Sequence, residues 1–224
     1  VLMATQDDDW WDGYVKELEE AVAVPAKPDL DALNKDILFN AIFQDVSGYD
    51  ISAAIVGNSH VYGEIDYNAF NIEMRRVIKP SDTVFYDIGS GVGKAVIACA
   101  LEFQHFTKLV GIEIVPQLHQ AALKALAQYR SLVPEPREVI LACDDALTYD
   151  LAEADIVFIA GTCFSPDQLL LLEHQLETLK PGARVLILTN KIESKGLKHL
   201  HTSSMPYGFS LELVLHTYER TNQN

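Results

Sequence analysis

Thr83-Val84-Phe85-Tyr86-Asp87-Ile88-Gly89-Ser90-Gly91-Val92-Gly93-Lys94 decides how this 224-residue chain folds. A β-branched and aromatic run reads as a buried strand. It ends in an acid and a glycine turn, after which Val92, Val96, Ile97 and Leu101 recur at helical spacing. A strand running through glycines into a helix brings bare backbone to the edge of a sheet, where a nucleotide can approach without side-chain interference.

Downstream of that unit, Leu109–Ile112 is a second strand closed by Glu113, Pro116–Tyr129 a helix, and Glu138–Ala142 a strand ending at Cys143-Asp144-Asp145. Asp155–Ile159 and Arg184–Thr189 are further apolar strands, and Phe209–Tyr218 is the last. Ser165-Pro166-Asp167-Gln168 carries a Ser N-cap, Pro at N1 and Gln at N3, which opens a helix whose inner face is Leu169, Leu172, Leu176 and Leu179. Upstream, the spacing predicts helices over Trp10–Val24 and from about Asp29, the second with Leu30, Leu33, Ile37, Ile42 and Phe43 inward. Residues 48–63 read as loop or short turns around Gly48, Gly57 and Gly63, and Asp66–Ile78 as helix. Strands alternating with helices of this length predict an α/β fold: a doubly wound, mostly parallel, seven-stranded Rossmann-like sheet with an N-terminal helical extension. The expected division is an acidic helical region, 1–60, and a ligand-binding domain, 61–224.

Composition narrows the function. Apolar residues make up 49% and charged residues 22%, the balance of a globular protein. No apolar run approaches the roughly 20 residues that span a bilayer, so no membrane role is expected, and the start has no basic and apolar pattern of a secretory signal. Cys99, Cys143 and Cys163 are scattered singly, which argues against a disulfide framework or zinc knuckle and fits a reducing cytoplasm, leaving a nucleus or a host cell open. The net charge of −15 repels phosphate backbones, so direct nucleic-acid binding is not expected, while a basic protein would be attracted. Residues 1–60 hold 12 of the 32 acids and 3 of the 17 bases, and so −9 of that charge. His199 and His201 form an isolated H-x-H that reads as a solvated pair, so no metal is expected. Trp10-Trp11 reads as a staple of the first helix to the sheet domain, with docking of a partner as the alternative. Neither a G-x-S-x-G elbow nor a phosphate-binding G-K-[ST] occurs, which removes hydrolase and NTPase readings.

The loop spacing is G-x-G-x-G, with Lys94 where the dinucleotide fingerprint wants its third glycine. A ligand without pyrophosphate tolerates Asp87 two places before the first glycine, and an acid there suits a cationic methionine end. Glu113, 20 residues beyond Gly93, is placed to accept hydrogen bonds from both ribose hydroxyls, and Asp144 an adenine amino group. Three consecutive strands each ending in an acid predict a site for S-adenosylmethionine.

A longer likeness supports this. Val61-Tyr62-Gly63-Glu64, the glycine loop, Val110-Gly111-Ile112-Glu113, Phe164-Ser165-Pro166 and the closing Leu215-His216-Thr217-Tyr218-Glu219-Arg220-Thr221 resemble the non-SET histone-lysine methyltransferases of the disruptor-of-telomeric-silencing family over residues 61–221. The resemblance implies a class I methyltransferase fold. It implies that Tyr62 and Glu64 close over the methionine end, Asp87, Gly89 and Gly91 shape the loop, Glu113 holds ribose, and Asp144 the adenine. Lys94 stands where the family has a cofactor-contacting Gln, Asp145 where an aromatic stacks on adenine, and Ala160-Gly161-Thr162 where it has N-N-F.

In that setting Tyr62 and Phe164 are candidates for an aromatic wall beside a cationic centre, and Thr162 for a hydroxyl orienting the acceptor amine. Tyr218 and His216 read as core and surface residues. The implied activity is methyl transfer to a protein lysine. A small-molecule methyltransferase, with the N-terminal helices as a lid, and a catalytically silent cofactor-binding module stay open beside it.

Overall fold

The computed structural model describes residues 34–56, 62–208 and 211–222. The helix expected over Trp10–Val24, its Trp pair, Leu30 and Leu33 lie outside the described residues. Asn34–Asn224 forms one compact unit, so the helices of residues 35–56 are built with the sheet.

Among the described residues, three helices precede the first strand: α1 (Lys35–Ile42), α2 (Tyr49–Val56) and α3 (Tyr67–Val77). β1 (Val84–Ile88), α4 (Lys94–Glu102), β2 (Lys108–Ile112), α5 (Pro116–Leu132) and β3 (Val139–Ala142) form the first half of the doubly wound unit. β4 (Ile156–Ile159), α6 (Pro166–Leu176), β5 (Arg184–Leu188), β6 (Leu197–Tyr207) and β7 (Leu211–Arg220) complete it. The seven strands lie in the order β3-β2-β1-β4-β5-β7-β6, the first five parallel, with β7 antiparallel to β5 and β6 antiparallel to β7.

Every residue of β1, β4 and β5 is buried, as expected of central strands covered on both faces. α4 is apolar from Ala95 to Leu101 and buries all seven of those residues, so it is a core helix rather than an amphipathic one. α6 opens with the capping box read from the sequence: Ser165 accepts from the Gln168 amide, and the Gln168 side chain accepts from the Ser165 amide. Its inner face is Leu172 and Leu176, with Leu169 partly buried. Among the described residues no helix is long and apolar enough to cross a membrane.

Four expectations need correction. The segment expected to be loop contains the two-turn helix α2; it is too short to be stable by propensity and exists because it packs on α5. Of the residues expected inward on α1, Ile42 and the C-cap Phe43 are buried, but Ile37 is exposed and Phe39 takes the inner face in its place. His216 is a core residue rather than a surface one, with Nδ1 at 3.0 Å from Thr202 Oγ1. β6, which carries His199 and His201, has no apolar alternation to announce it. It is an edge strand largely open to solvent, bulged between those histidines, and it tolerates Pro206 because an edge strand has an unpaired side.

The order of the strands places the site. β1 and β4 are neighbours whose connections leave toward opposite edges of the sheet, and ligands of open α/β sheets bind at the C-terminal ends of such a pair.

Candidate active site

The loop after β1 makes one wall. Gly89, Gly91 and Gly93 all have positive φ (72°, 54° and 87°), a conformation that side-chain-bearing residues adopt only with strain. The amides of Gly89 and Ser90 both donate to the Ile112 carbonyl, at 2.9 and 3.0 Å, which ties the loop to the end of β2. At Gly89 a Cβ would meet nothing within 4 Å, so the loop leaves open space in front of its backbone.

Glu113, at the end of β2, is 6% exposed. Its Oε2 accepts from the Gly91 amide and its Oε1 from the Val115 amide, both at 2.8 Å. Burial pushes its pKa up, while those amides and that of Ile114 push it down, leaving it above the ordinary carboxylate range. Asp87 is more deeply buried. Its carboxyl is held well above its usual value by burial and then by the charge of Glu113.

The third wall is Tyr62-Gly63-Glu64. Ile65 bridges Tyr207 at the end of β6, and the Gly208 amide donates to the Glu64 carbonyl at 2.9 Å. A Cβ at Gly63 would run into the Tyr207 ring, so glycine is required for the turn to lie on β6. Glu64 Oε1 accepts from the Gly48 amide at 2.8 Å and from the Tyr62 hydroxyl at 3.3 Å, and its Oε2 pairs with Lys94 Nζ at 2.8 Å. Burial, then Glu64, pushes the Tyr62 phenol far above its normal range, so it stays protonated and donates.

These walls enclose a cavity of about 270 Å³ at the switch point. The residues expected at the site are brought together there: Tyr62, Glu64, Asp87, Gly89, Gly91, Lys94, Glu113, Thr162 and Phe164 all line it. Asp144 and Asp145 do not. Asp144 is exposed and accepts from the Asp145 amide at 2.8 Å, and Asp145 caps the Leu147 amide at 2.9 Å. Beyond Glu113 the lining is apolar instead, made by Ile114, Val115 and Leu118. Ile114 keeps 60% of its surface exposed beside the cavity, an apolar face open to a flat ring. Sequence reasoning missed Ile114 although it adjoins Glu113, and it missed Tyr207 because β6 itself carried no signal.

The cavity fits S-adenosylmethionine. Glu113 faces it as an acceptor for a diol, the bare loop leaves room for a ribose, and the acids near Asp87 suit a cationic methionine end. Lys94, paired with Glu64, is the lysine lining the cavity. On the far side, Ala160, Thr162 and Phe164 after β4 form the wall that an acceptor would meet.

Residues 50–135 match the family model described as histone methylation protein DOT1. A histone-lysine N-methyltransferase, H3 lysine-79 specific, of Cryptococcus neoformans is 25% identical over 181 residues, which cover 76% of this chain and 28% of that protein. One of the same description from Emericella nidulans is 27% identical over 157 residues, 63% of this chain and 31% of that protein. The chain thus spans under a third of the length of these curated relatives. Among solved structures, an RNA methyltransferase of Salinibacter ruber in complex with S-adenosyl-L-homocysteine aligns with a TM-score of 0.53 at 22% identity, over 72% of this chain and 95% of that one. A putative class I S-adenosylmethionine-dependent methyltransferase of Listeria monocytogenes aligns with a TM-score of 0.59 at 12% identity, over 96% and 76%. Over residues 50–135 this chain is thus similar to the DOT1 histone-methylation family, and its sheet order and glycine loop are those of the class I methyltransferase fold.

Proposed function

We propose that the protein is an S-adenosylmethionine-dependent methyltransferase acting on a lysine side chain of a basic protein. The observation that carries this is the enclosure of Asp87, Glu113 and the Tyr62-Gly63-Glu64 turn around one cavity at the β1/β4 switch point.

Bound there, S-adenosylmethionine supplies an electrophilic sulfonium methyl. The chain's part is alignment and exclusion of water. Glu113 would accept from the ribose hydroxyls, Ile114 and Leu118 would offer apolar contact to the adenine, and Asp87 and the Glu64–Lys94 pair would hold the charged methionine end. The phenol of Tyr62 and the ring of Phe164 face the reacting centre, where aromatic faces favour cationic character. The acceptor amine enters between them. An apolar wall lowers the pKa of its ammonium, which loses a proton to water before attack. The amine nitrogen would take the methyl group as the bond from that methyl to sulfur breaks, with S-adenosylhomocysteine as the other product.

The charge of −15 supports a basic acceptor and speaks against free nucleic acid as the main ligand. The relatives are named for histone H3 lysine-79, so histones are the first acceptors to try. That acceptor lies in chromatin, so the cytoplasmic expectation is not carried forward.

The test is transfer of a labelled methyl group from S-adenosylmethionine to core histones, nucleosomes and whole-cell lysate, with Glu113→Ala as control. Label on a protein band that disappears in the variant, mapped to lysine, is the expected result. Cofactor binding by calorimetry with no labelled protein would overturn the reading in favour of a small-molecule acceptor or a silent binder.

A further inference from the structure

The wall after β4 is held from outside itself. The 3₁₀ turn Gly161–Cys163 carries Thr162 and leads into Phe164, both lining the cavity. Its own hydrogen bond, from the Phe164 amide to the Gly161 carbonyl, is long at 3.5 Å. The short bond to that carbonyl, at 2.7 Å, comes from Nδ2 of Asn190, two residues past the end of β5.

The chain at Asn190 is bent to make this contact. Thr189 has φ +75°, and it alone among the described non-glycine residues has positive φ. The Asn190 amide donates to the Leu188 carbonyl at 2.9 Å across it, closing a three-residue turn of the left-handed, strained kind. A β-branched residue is poorly suited to that conformation. Gly161 is shaped to receive the amide: a Cβ there would stand 2.9 Å from the Leu188 carbonyl oxygen and 3.1 Å from Asn190 Nδ2. Backbone strain, side-chain amide and bare glycine meet at one contact, and strain of this kind clusters where geometry matters to function.

We propose that Asn190 is the positioning residue of the acceptor side of the pocket, setting Thr162 and Phe164 through the Gly161 carbonyl, with the turn at Thr189 aiming its amide. This rests on the reading above that the cavity is a methyl-transfer site. Asn190, just past the end of the neighbouring strand β5, supplies its amide to Gly161 from behind the wall.

The test is Asn190→Asp, the same shape with an acceptor in place of the donor. Amide hydrogen exchange is measured on the whole chain with S-adenosylhomocysteine bound. Exchange in residues 161–164 should quicken at least tenfold while residues 89–93 keep their protection and the affinity for S-adenosylmethionine stays within about twofold. With core histones as acceptor, kcat should fall at least tenfold at unchanged KM for S-adenosylmethionine. The ratio of variant to wild-type kcat should rise as pH falls and the new carboxyl gains a proton to donate. Unchanged exchange at 161–164, or quickened exchange throughout the chain, would overturn the proposal. A wild-type protein that labels no histone would count against the methyl-transfer reading instead, and the exchange result still decides what Asn190 does.

Discussion

Lys94 Nζ lies 2.8 Å from Glu64 Oε2, with the rings of Phe43 and Phe39 at 5.3 and 6.0 Å on its other side. The first residue of α4 thereby joins the turn over the cavity to α1. The other oxygen of the same carboxylate holds the Gly48 amide at the start of α2 and the Tyr62 hydroxyl. One carboxylate thus knits the N-terminal helices to the cofactor loop.

Breaking this pair should loosen the turn more than it disturbs the sheet. Lys94→Met leaves Glu64 charged among partly buried groups, and the expected cost is about 1–3 kcal/mol of stability, less than for a fully buried pair because Lys94 keeps some solvent. Adding Glu64→Gln should recover part of that loss. A double-mutant cycle from urea melts measures it; a coupling energy indistinguishable from zero would show that the two residues act independently.

Glu113 performs two tasks, bracing Gly91 and Val115 and facing the cavity. Hydrogen bonds to a charged acceptor contribute about 1.5–3 kcal/mol each. Losing even one such bond, Glu113→Ala should therefore weaken S-adenosylmethionine by roughly 10- to 150-fold in Kd, with Glu113→Gln intermediate. Calorimetry of both variants decides, and an affinity within threefold of wild type would remove Glu113 from the site.

The acids behind the loop should make stability and binding respond to pH in opposite senses. Asp87 and Glu113 both titrate above the ordinary carboxylate range in the folded chain. Their contribution to the free protein is full below the unfolded-state pKa, and it is lost as pH rises through the raised values. Binding of a cationic cofactor favours the ionised forms, so affinity should rise over the same interval. Asp87→Asn removes the buried charge at constant shape. At pH 8 the free variant should melt roughly 2–4 °C higher than wild type, yet bind S-adenosylmethionine at least tenfold more weakly. Melts between pH 5 and 9, with and without the cofactor, check both halves. A variant that melts lower and binds equally well would mean that the Asp87 carboxyl supports the fold and takes no part in cofactor binding.

The legible parts of this molecule are those where local chemistry and fold agree. The glycine loop, Glu113 and the Ser165 cap each announce themselves because one residue type suits one backbone geometry. Asp144, the third strand-end acid, is exposed outside the cavity lining and accepts from the neighbouring amide of Asp145, while the apolar Ile114 lines the cavity edge. Tyr207 and Asn190 were out of reach for another reason. Each acts across a strand pairing, Tyr207 on Gly63 and Asn190 on Gly161, and neither pairing leaves a pattern in the local sequence. α2 was hidden because tertiary packing, not propensity, makes it a helix.

The strain at Thr189 can be tested apart from any activity. Glycine and asparagine both reach positive φ more readily than threonine, glycine at an entropic cost and asparagine with less. Thr189 is exposed and its amide bonds the Val214 carbonyl at 2.7 Å, a contact that any residue but proline preserves. Thr189→Asn should therefore stabilise the fold by about 0.5–1.5 kcal/mol, Thr189→Gly by somewhat less, and Thr189→Val not at all, since valine keeps the branched Cβ. Because the turn stays left-handed in all three, exchange protection at residues 161–164 should match wild type. Urea melts rank the series. If valine proves as stable as asparagine, the turn is not strained. If asparagine stabilises the fold but residues 161–164 lose protection, the threonine side chain contributes to aiming Asn190 beyond the backbone angle.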